Sequence, residues 1–347
     1  MELTFKPFCS QISCIKFISE LQDTEAYFAV GTCLEPVIQN SNLNFNNYFK
    51  ANSLSIMGYG GNITEPTCLS KIDHEGDVMD IQFNQIHDRI LTSSSNGSLN
   101  IYNVGSADGG KLELDVGWDK VCSGPITGSL FTDDRIIAVS TDGTLLSIRL
   151  DKKVTDPNAI FDFRVKDVTA INAIEIIDRH TFLTANAFGQ VKLWDNRIRP
   201  QLPQWSNIRY GSELTTIHSL CRHPGQPNII ASGCNGCVCI WDLRTNDKSG
   251  PVQLNTGIES SDVFKVKFHP TNPQNLFIAS SCGGLINISG TGVGFDWGDF
   301  NSSLSSLQMT SIIGNQTSTV VALDVSESLI VAGSDKEMLC LVPIDHL

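Results

Sequence analysis

The sequence predicts an all-β fold in which seven four-stranded sheets, or blades, form a closed ring around a central channel. Three observations predict it. A pattern of short apolar runs recurs with a period of about 45 residues, which is the length of one propeller blade. The runs are rich in Val, Ile and Leu, and a turn of the Asn-Gly, Asp-Gly or Gly-Gly type separates the last two runs in several copies. No segment combines a sustained helical period with caps at both ends.

The clearest copy contains the runs Ile217–Pro224 and Asn228–Cys234, the turn Asn235-Gly236 and the run Cys237–Asp242. Copies begin near residues 12, 77, 126, 171, 217, 262 and 319. Residues that tolerate positive φ are the ones that tight hairpin turns require. The runs lack clean polar alternation, as expected for strands that are covered on both faces. One such sheet cannot bury its own faces, so the seven must pack in a ring.

The repeats predict a single domain over residues 1–347, because they resume after each interruption. Two regions interrupt the repeat pattern, near residues 39–65 and near 289–318, and both are rich in small or polar residues. We interpret them as long loops rather than interdomain linkers. The segment Glu2–Phe8 is predicted to close the ring by completing the last blade. The first copy, which uses Ile12–Ile18 and Tyr27–Thr32, is poorly patterned.

Composition argues against several classes of partner. The chain has 37 acidic and 24 basic side chains, a net charge of −13, and no compact cluster of Lys and Arg. Direct binding to nucleic acid or to an anionic membrane surface needs such a cluster, so neither is expected. Membrane insertion is not expected either, because no run of about eighteen apolar residues occurs. The eleven cysteines, in a chain without a visible secretory signal, predict reduced thiols in the cytosol or nucleus.

Two Trp-Asp pairs identify the repeat type. Trp194-Asp195 and Trp241-Asp242 end two copies at the same place, as the signature of WD repeats does. We predict a structural role, in which each indole fills the gap between blades and its N–H finds a partner in its own blade. His74, just before a strand, matches the histidine with which WD repeats tie a loop to a strand. Trp118-Asp119 lies in an outer-strand position without the preceding turn. The sequence thus predicts a WD40-type seven-bladed β-propeller.

No metal, cofactor or catalytic site is predicted. Cys234, Cys237 and Cys239, with Cys221 and His223 nearby in sequence, are the one metal-like group. The thiols alternate with apolar residues, however, and therefore occupy positions where small core residues belong.

The motifs of enzymes are also missing. A Gly-x-Ser-x-Gly nucleophile elbow is absent, and Gly290–Gly294 lacks the Lys-Ser/Thr that follows in a phosphate loop. His223-Pro224 and His269-Pro270 recur in register after a strand and indicate turns. We therefore expect a protein that is not an enzyme.

Particular residues narrow the function further. The run His74–Phe83 closely resembles the second blade of the nucleoporin forty-three family, WD-repeat subunits of the Y-shaped outer-ring complex of the nuclear pore. The segments Phe182–Arg197, Arg222–Arg244 and Val266–Pro273 resemble later blades of that family, and the last blade matches more loosely. The resemblance covers most of residues 74–345. The chain departs from the family's pattern at Asn287–Ser289, where a Trp-bearing strand end is usual, and in the loop at 289–318, which is short for that family.

The resemblance implies a structural scaffold subunit that binds other Y-complex nucleoporins, notably the α-solenoid subunits of the short arm. It also implies a location at the nuclear envelope and, in mitosis, at kinetochores. The alternative is a WD40 substrate receptor or a histone- or peptide-binding adaptor, which would expose an aromatic cage or an Arg cluster at the channel mouth. An enzymatic propeller would need acids, histidines or metal ligands at the starts of several blades, and His74 is the one candidate there.

Overall fold

Seven four-stranded antiparallel sheets form the structure. The computed structural model describes residues 3–8, 10–21, 25–34, 51–61, 63–105, 111–132, 134–150, 161–197, 205–208, 215–244, 250–254, 261–290, 296–298, 306–314 and 318–344. Six of these sheets are meanders of four consecutive strands, the seventh combines three consecutive strands with the first strand of the chain, and neighbouring strands in every sheet are hydrogen-bonded. The predicted all-β, seven-bladed propeller is confirmed.

The strands have the following bounds. Blade 1 contains β2 (Gln11–Leu21), β3 (Glu25–Cys33), β4 (Asn52–Gly60) and β5 (Ile63–His74). Blade 2 contains β6 (Val78–Asn84), β7 (Arg89–Ser94), β8 (Leu99–Val104) and β9 (Leu112–Trp118). Blade 3 contains β10 (Ile126–Phe131), β11 (Arg135–Ser140), β12 (Thr144–Arg149) and β13 (Phe161–Lys166). Blade 4 contains β14 (Ile171–Ile176), β15 (Thr181–Asn186), β16 (Gln190–Asp195) and β17 (Trp205–Ile208). Blade 5 contains β18 (Ile217–Arg222), β19 (Ile229–Cys234), β20 (Cys237–Asp242) and β21 (Val252–Leu254). Blade 6 contains β22 (Val263–Phe268), β23 (Asn275–Ser280), β24 (Leu285–Gly290) and β25 (Leu307–Ile313). Blade 7 contains β26 (Val320–Val325), β27 (Leu329–Ser334), β28 (Met338–Pro343) and β1 (Thr4–Pro7).

The first strand of each blade is the inner strand, and the inner strands line the channel. They contact one another in sequence around the ring, and β26 contacts β2 to complete it. Every inner strand carries a β-bulge after its first paired core residue, as between Val78 and Asp80 or between Ile126 and Gly128. A bulge adds one residue and increases the local twist. The repetition gives the seven inner strands the same twist where they approach the channel.

The core lies between blades rather than within them. The buried apolar residues form seven clusters, each shared by two adjacent blades, within the described part of the chain. The second strands are buried along nearly their whole length, as in β19 and β27. The outer strand β9, in contrast, is exposed over five consecutive residues. This explains why the apolar runs lack polar alternation in the middle strands and why the outer strands are weakly patterned.

The chain closes the ring with its own N-terminal strand. β1 pairs antiparallel with β28, with Thr4 opposite Leu341 and Pro7 opposite Met338. This is the closure predicted for Glu2–Phe8, although Glu2 lies outside the described residues. The fourth strand of blade 7 therefore comes from the opposite end of the chain.

Asp324 on β26 connects the three blades that meet at this closure. Its carboxylate lies 3.4 Å from Lys267 Nζ of blade 6 and 4.0 Å from Lys16 Nζ of blade 1. It also accepts the Phe17 backbone N–H of blade 1 at 2.9 Å. Burial acts to raise the pKa of this carboxyl, but Lys16 and Lys267 outweigh it and hold the pKa below its usual value. Asp324 raises the pKa of Lys267 in turn.

The two predicted loops are shorter than expected. Residues Asn52–Gly60, inside the predicted loop 39–65, form the third strand of blade 1, where Leu54 and Ile56 are buried. Residues Leu307–Ile313, inside the predicted loop 289–318, form the exposed outer strand of blade 6. Small residues in the packed strand β4 and polar residues in the outer strand β25 give both strands a composition like that of a loop. Residues 35–50, 291–295, 299–305 and 315–317 lie outside the described residues.

We expect Asp324→Asn to lower the free energy of unfolding by about 2 kcal/mol, because it removes a charge-assisted set of contacts at the closure. Since the folded pKa is depressed, the carboxylate contributes this stability above its unfolded pKa of about 3.9 and loses it as pH falls through the folded value. Urea denaturation at pH 7 and in a series below pH 5 measures both effects.

Asp115→Asn is the matched control, because Asp115 pairs with Arg89 at 3.3 Å on the exposed outer strand. An exposed pair contributes about 0–1 kcal/mol. Equal losses for the two variants, or an Asp324→Asn protein with the wild-type acid dependence, would contradict the assigned role.

Candidate functional site

The two signature tryptophans lie between blades. Trp194 on β16 is 4% exposed, and its Nε1–H donates to Thr184 Oγ1 on β15 at 2.8 Å. Its indole belongs to the core that blade 4 shares with blade 3. Trp241 on β20 repeats this arrangement one blade later, where its Nε1–H donates to Ser232 Oγ at 2.9 Å and its ring packs towards blade 4. Each indole therefore joins an interblade core to a hydroxyl of its own blade.

Blade 2 carries a variant of this arrangement. Tyr102 on β8 occupies the register position of the tryptophans and hydrogen-bonds to Thr92 on β7. Thr92 Oγ1 lies 3.0 Å from His74 Nε2, and His74 Nδ1 lies 3.0 Å from the Gly76 carbonyl oxygen. Because a carbonyl can only accept, Nδ1 carries the proton and Nε2 accepts from Thr92. Burial lowers the pKa of His74, which favours this neutral ring.

The sequence interpretation missed the hydroxyl partners Thr92, Thr184 and Ser232. They share one register position on the second strands of their blades. A spacing of nine or ten residues before each aromatic residue is the signal that could have found them. A buried indole or phenol needs a polar partner, so a Ser or Thr at that spacing is a useful marker of this blade type.

Asp195 and Asp242, the second signature residues, hold the turn after the third strand. Asp195 accepts the Arg197 backbone N–H at 2.8 Å and receives the Arg197 guanidinium at 2.5 Å. Asp242 pairs with Arg244 in the same way, at 2.7 Å. Hydrogen bonding from Arg197 lowers the pKa of Asp195 to about 2, and Arg244 likewise lowers the pKa of Asp242. The structure thus ties each aspartate to the arginine two residues later.

The three thiols of Cys234, Cys237 and Cys239 converge in the core between blades 4 and 5. Their Sγ atoms lie within 4.8 Å of one another. The two other residues of the predicted group do not join them. Cys221 is in the next core, between blades 5 and 6, and His223 Nδ1 accepts backbone N–H groups in the turn after β18. Within the described part of the chain no fourth metal-type ligand completes the trio, and structural zinc normally has four ligands.

Two thiols of the trio, those of Cys234 and Cys239, have raised pKa values. Hydrogen bonding with Cys237 and burial raise the pKa of Cys234 to about 12. Hydrogen bonding with Cys234 and Cys237, together with burial, raises the pKa of Cys239 as well. Since the thiolate is the nucleophile and the metal ligand, these residues are poorly suited to either chemistry at neutral pH.

One mouth of the channel carries a cluster of phenylalanines. Phe17, Phe83 and Phe131 occupy equivalent positions near the ends of β2, β6 and β10, and all three are partly buried. They line an open depression of about 480 Å³ that also includes Lys16 and Asp324. Ile86 in the β6–β7 turn lies at its edge and is 70% exposed. We call these five residues, Phe17, Phe83, Phe131, Ile86 and Lys16, with the depression they line, the phenylalanine mouth.

The opposite mouth differs in character. The bulge residues of the inner strands lie at that end; they are Ser13, Met79, Thr127, Asn172, His218, Phe264 and Val321. Three of them reach across to the next blade, because the Ser13, Thr127 and Asn172 side chains donate to inner-strand carbonyl oxygens of the neighbour at 2.5, 2.6 and 3.0 Å. This described set holds a single phenylalanine and no arginine.

Comparison with known proteins agrees with the fold and with the sequence resemblance. The family described as WD domain, G-beta repeat matches residues 66–103 and 208–242. The chain is 29% identical over 238 residues to Nucleoporin Nup43 of Homo sapiens and, equally, to that of Mus musculus. The match covers 65% of this chain and spans 60% of the length of each relative. The predicted resemblance to the nucleoporin forty-three family is therefore confirmed.

A solved structure supports the fold alone. The WD40 β-propeller domain of Doa1 superposes with a TM-score of 0.68 at 12% identity, and the match covers 99% of this chain and 96% of that one. In the described residues there is also no helix of the length and hydrophobicity that a membrane crossing needs.

We expect Trp194→Ala and Trp241→Ala each to lower the free energy of unfolding by about 3–5 kcal/mol, because each leaves a cavity between two blades. Chemical denaturation followed by circular dichroism measures the loss. Leu114→Ala is the control, since Leu114 is 56% exposed on the outer strand β9. If all three substitutions cost the same, the interblade role of the signature indoles is wrong.

We expect Cys68, which is exposed, to react with N-ethylmaleimide in the native protein, and Cys237 and Cys239 to react only after denaturation. Burial keeps reagents away from both residues, and a raised pKa also disfavours the reactive thiolate of Cys239. Peptide mass spectrometry after timed labelling identifies the modified residues. Labelling of the trio in the native protein at the rate of Cys68 would show that this core is open to reagents.

Proposed function

We propose that this WD40-type seven-bladed propeller is a non-enzymatic scaffold subunit of the outer-ring Y complex of the nuclear pore, where it binds α-solenoid nucleoporins of the short arm. The observation that carries the proposal is the similarity to Nucleoporin Nup43, which extends over 238 residues of this chain. Through that complex the protein would support pore assembly and nucleocytoplasmic transport. It would be found at the nuclear envelope and, during mitosis, at kinetochores.

The described residues support a role in binding rather than in chemistry. The signature tryptophans, the His74 pair with Thr92 and the Asp–Arg pairs are each occupied by contacts that hold a blade or a turn. The buried thiols of Cys234 and Cys239 have raised pKa values. These groups therefore account for the polar and nucleophilic residues that the sequence singles out without requiring a substrate.

The single Phe-Gly pair supports a place in the frame of the pore. Nucleoporins of the permeability barrier carry many Phe-Gly pairs in disordered tracts. Here Phe188-Gly189 lies in the hairpin turn between β15 and β16, where Gly189 has a φ of 74°. A Cβ at Gly189 would lie 2.7 Å from the Thr215 carbonyl oxygen, so the glycine serves the close approach of two turns.

Affinity capture tests the proposal. The tagged full chain is recovered from nuclear lysate, and bound proteins are quantified by mass spectrometry against a different WD40 propeller that carries the same tag. We expect stoichiometric recovery of α-solenoid and propeller nucleoporins of the outer ring with this chain and not with the control. Recovery of ubiquitin-ligase adaptors or histones in their place would assign the chain to the receptor or adaptor class.

A further inference from the structure

We propose that Cys234, Cys237 and Cys239 form a binding site for the hydroxide of a trivalent metalloid, arsenous acid, and hold the arsenic atom through three sulfur bonds. The three residues are the thiol trio in the core between blades 4 and 5. The inference goes beyond the proposed function and does not depend on it. It assigns to the trio a ligand that forms three bonds and carries no charge.

One hairpin places the three thiols. Cys234 ends β19 and lies opposite Cys237, the first residue of β20. Cys239 follows two residues later, so the alternation of side chains along a strand puts it on the same face of the blade. Asn235 and Gly236 form the tight turn, in which Gly236 has a φ of 73°. A single short segment therefore directs three sulfur atoms towards one point.

The separation of the sulfur atoms suits one central atom. The Sγ atoms of Cys237 and Cys239 are 3.9 Å apart, and all three Sγ atoms lie within 4.8 Å of one another. Some point must then lie within about 2.8 Å of all three, which is near the ~2.3 Å of a zinc–sulfur bond. Bonds between trivalent arsenic and sulfur have a similar length. Small movements of the side chains would therefore bring three bonds to their normal length.

The number of ligands distinguishes a metalloid from zinc. Within the described part of the chain, no histidine or carboxylate joins the three thiols. Structural zinc normally has four ligands. Trivalent arsenic forms three bonds and keeps a lone pair in the fourth direction. The missing fourth ligand, which argues against zinc, is thus what trivalent arsenic requires.

The surroundings favour a complex without charge. The trio is buried among apolar side chains such as Leu220 and Ile230, and its members are at most 2% exposed. Three thiolates would give a complex of zinc or of monovalent copper a net negative charge, and an unpaired charge is costly to bury. Arsenic bound to three thiolates is neutral. The apolar core therefore disfavours the metal ions more than the metalloid.

The reaction does not need thiolates at its start. Each hydroxyl group on arsenic takes the proton of one thiol and leaves as water while an arsenic–sulfur bond forms. Three arsenic–oxygen bonds and three S–H bonds break, three arsenic–sulfur bonds form, and three water molecules are released. Arsenic stays trivalent, and no oxidant or reductant is consumed. Protonated thiols, which serve a metal ion poorly, are therefore the reactants that arsenous acid uses.

The trio lies directly below a surface turn. Asn235, between Cys234 and Cys237, is exposed. A local opening of this turn would uncover the first two thiols without separating the blades. Arsenous acid is smaller than N-ethylmaleimide and is uncharged near neutral pH, so a narrower opening admits it. We therefore expect the trio to bind arsenic slowly while it resists the larger reagent.

The test uses the full chain, kept reduced with a phosphine and incubated with sodium arsenite. After desalting, native mass spectrometry counts the bound arsenic atoms, and X-ray absorption at the arsenic edge identifies their neighbours. We expect one arsenic atom per chain, with three sulfur neighbours and no oxygen. We also expect the melting temperature to rise by about 2 °C or more, because a ligand that binds the native state stabilises it.

Cys239→Ala removes one of the three sulfur ligands. In the presence of excess glutathione, a monothiol, we expect this variant to retain about tenfold less arsenic than wild type, because two linked thiols compete less well than three. The matched control is Cys221→Ala, the same change at a buried cysteine of the next core, which we expect to stay within about twofold of wild type. Circular dichroism checks that both variants fold. If Cys239→Ala does not fold, Cys234→Ala replaces it with the same expectation.

Four results would overturn the proposal. The first is equal retention of arsenic by wild type and the trio variant, and the second is an absorption spectrum with oxygen among the neighbours of arsenic. The third is a lower melting temperature with arsenite, since arsenic would then prefer the unfolded chain. The fourth is zinc or copper on these three sulfur atoms in the purified protein, since the core would then accept a charged complex. The affinity capture of nucleoporins is independent of all four.

Discussion

Each blade of this protein has two apolar faces, and each face can be covered only by the next blade. Most of what the structure contains follows from this requirement. The second strands are buried on both sides, and the seven apolar clusters of the described residues all lie at blade boundaries. A row of such sheets would leave one face bare at each end, so the row must bend until its ends meet. The bulge near the start of every inner strand supplies a repeated twist.

The same requirement explains the polar residues that the interior accepts. Side chains in an interblade core are buried, so an indole, phenol or imidazole there needs a hydrogen-bond partner within the protein. Thr184, Ser232 and Thr92 supply that partner from one register position. Charges are placed at the channel instead, where Asp324 connects Lys267 and Lys16 across the closure. These aromatic and hydroxyl groups between blades are therefore hydrogen-bonded to one another, and the charged cluster around Asp324 lies at the inner strands.

The sequence predicts the ring correctly because the turn residues and the spacing of the repeats can be recognised in each blade. The predicted starts near 77, 126 and 171 fall beside the observed Val78, Ile126 and Ile171. The sequence predicts loops where β4 and β25 lie, because β4 packs small residues and β25 faces solvent. The phenylalanine mouth could not be predicted. Phe17, Phe83 and Phe131 resemble core residues in sequence, and only the ring brings their strand ends together.

The pairing at the closure has a mechanical consequence. Thr4 lies opposite Leu341 and Pro7 opposite Met338, so the chain enters β1 and leaves β28 at the same end of the pair. A pulling force applied outside these two strands would peel their hydrogen bonds apart one after another, whereas strands loaded from opposite ends resist in shear with all bonds at once. If the chain were tethered at both of its ends, tension between the tethers would therefore act in the direction in which the β1–β28 pair is weakest. Load carried through the ring without passing through the chain ends would leave this joint unstressed.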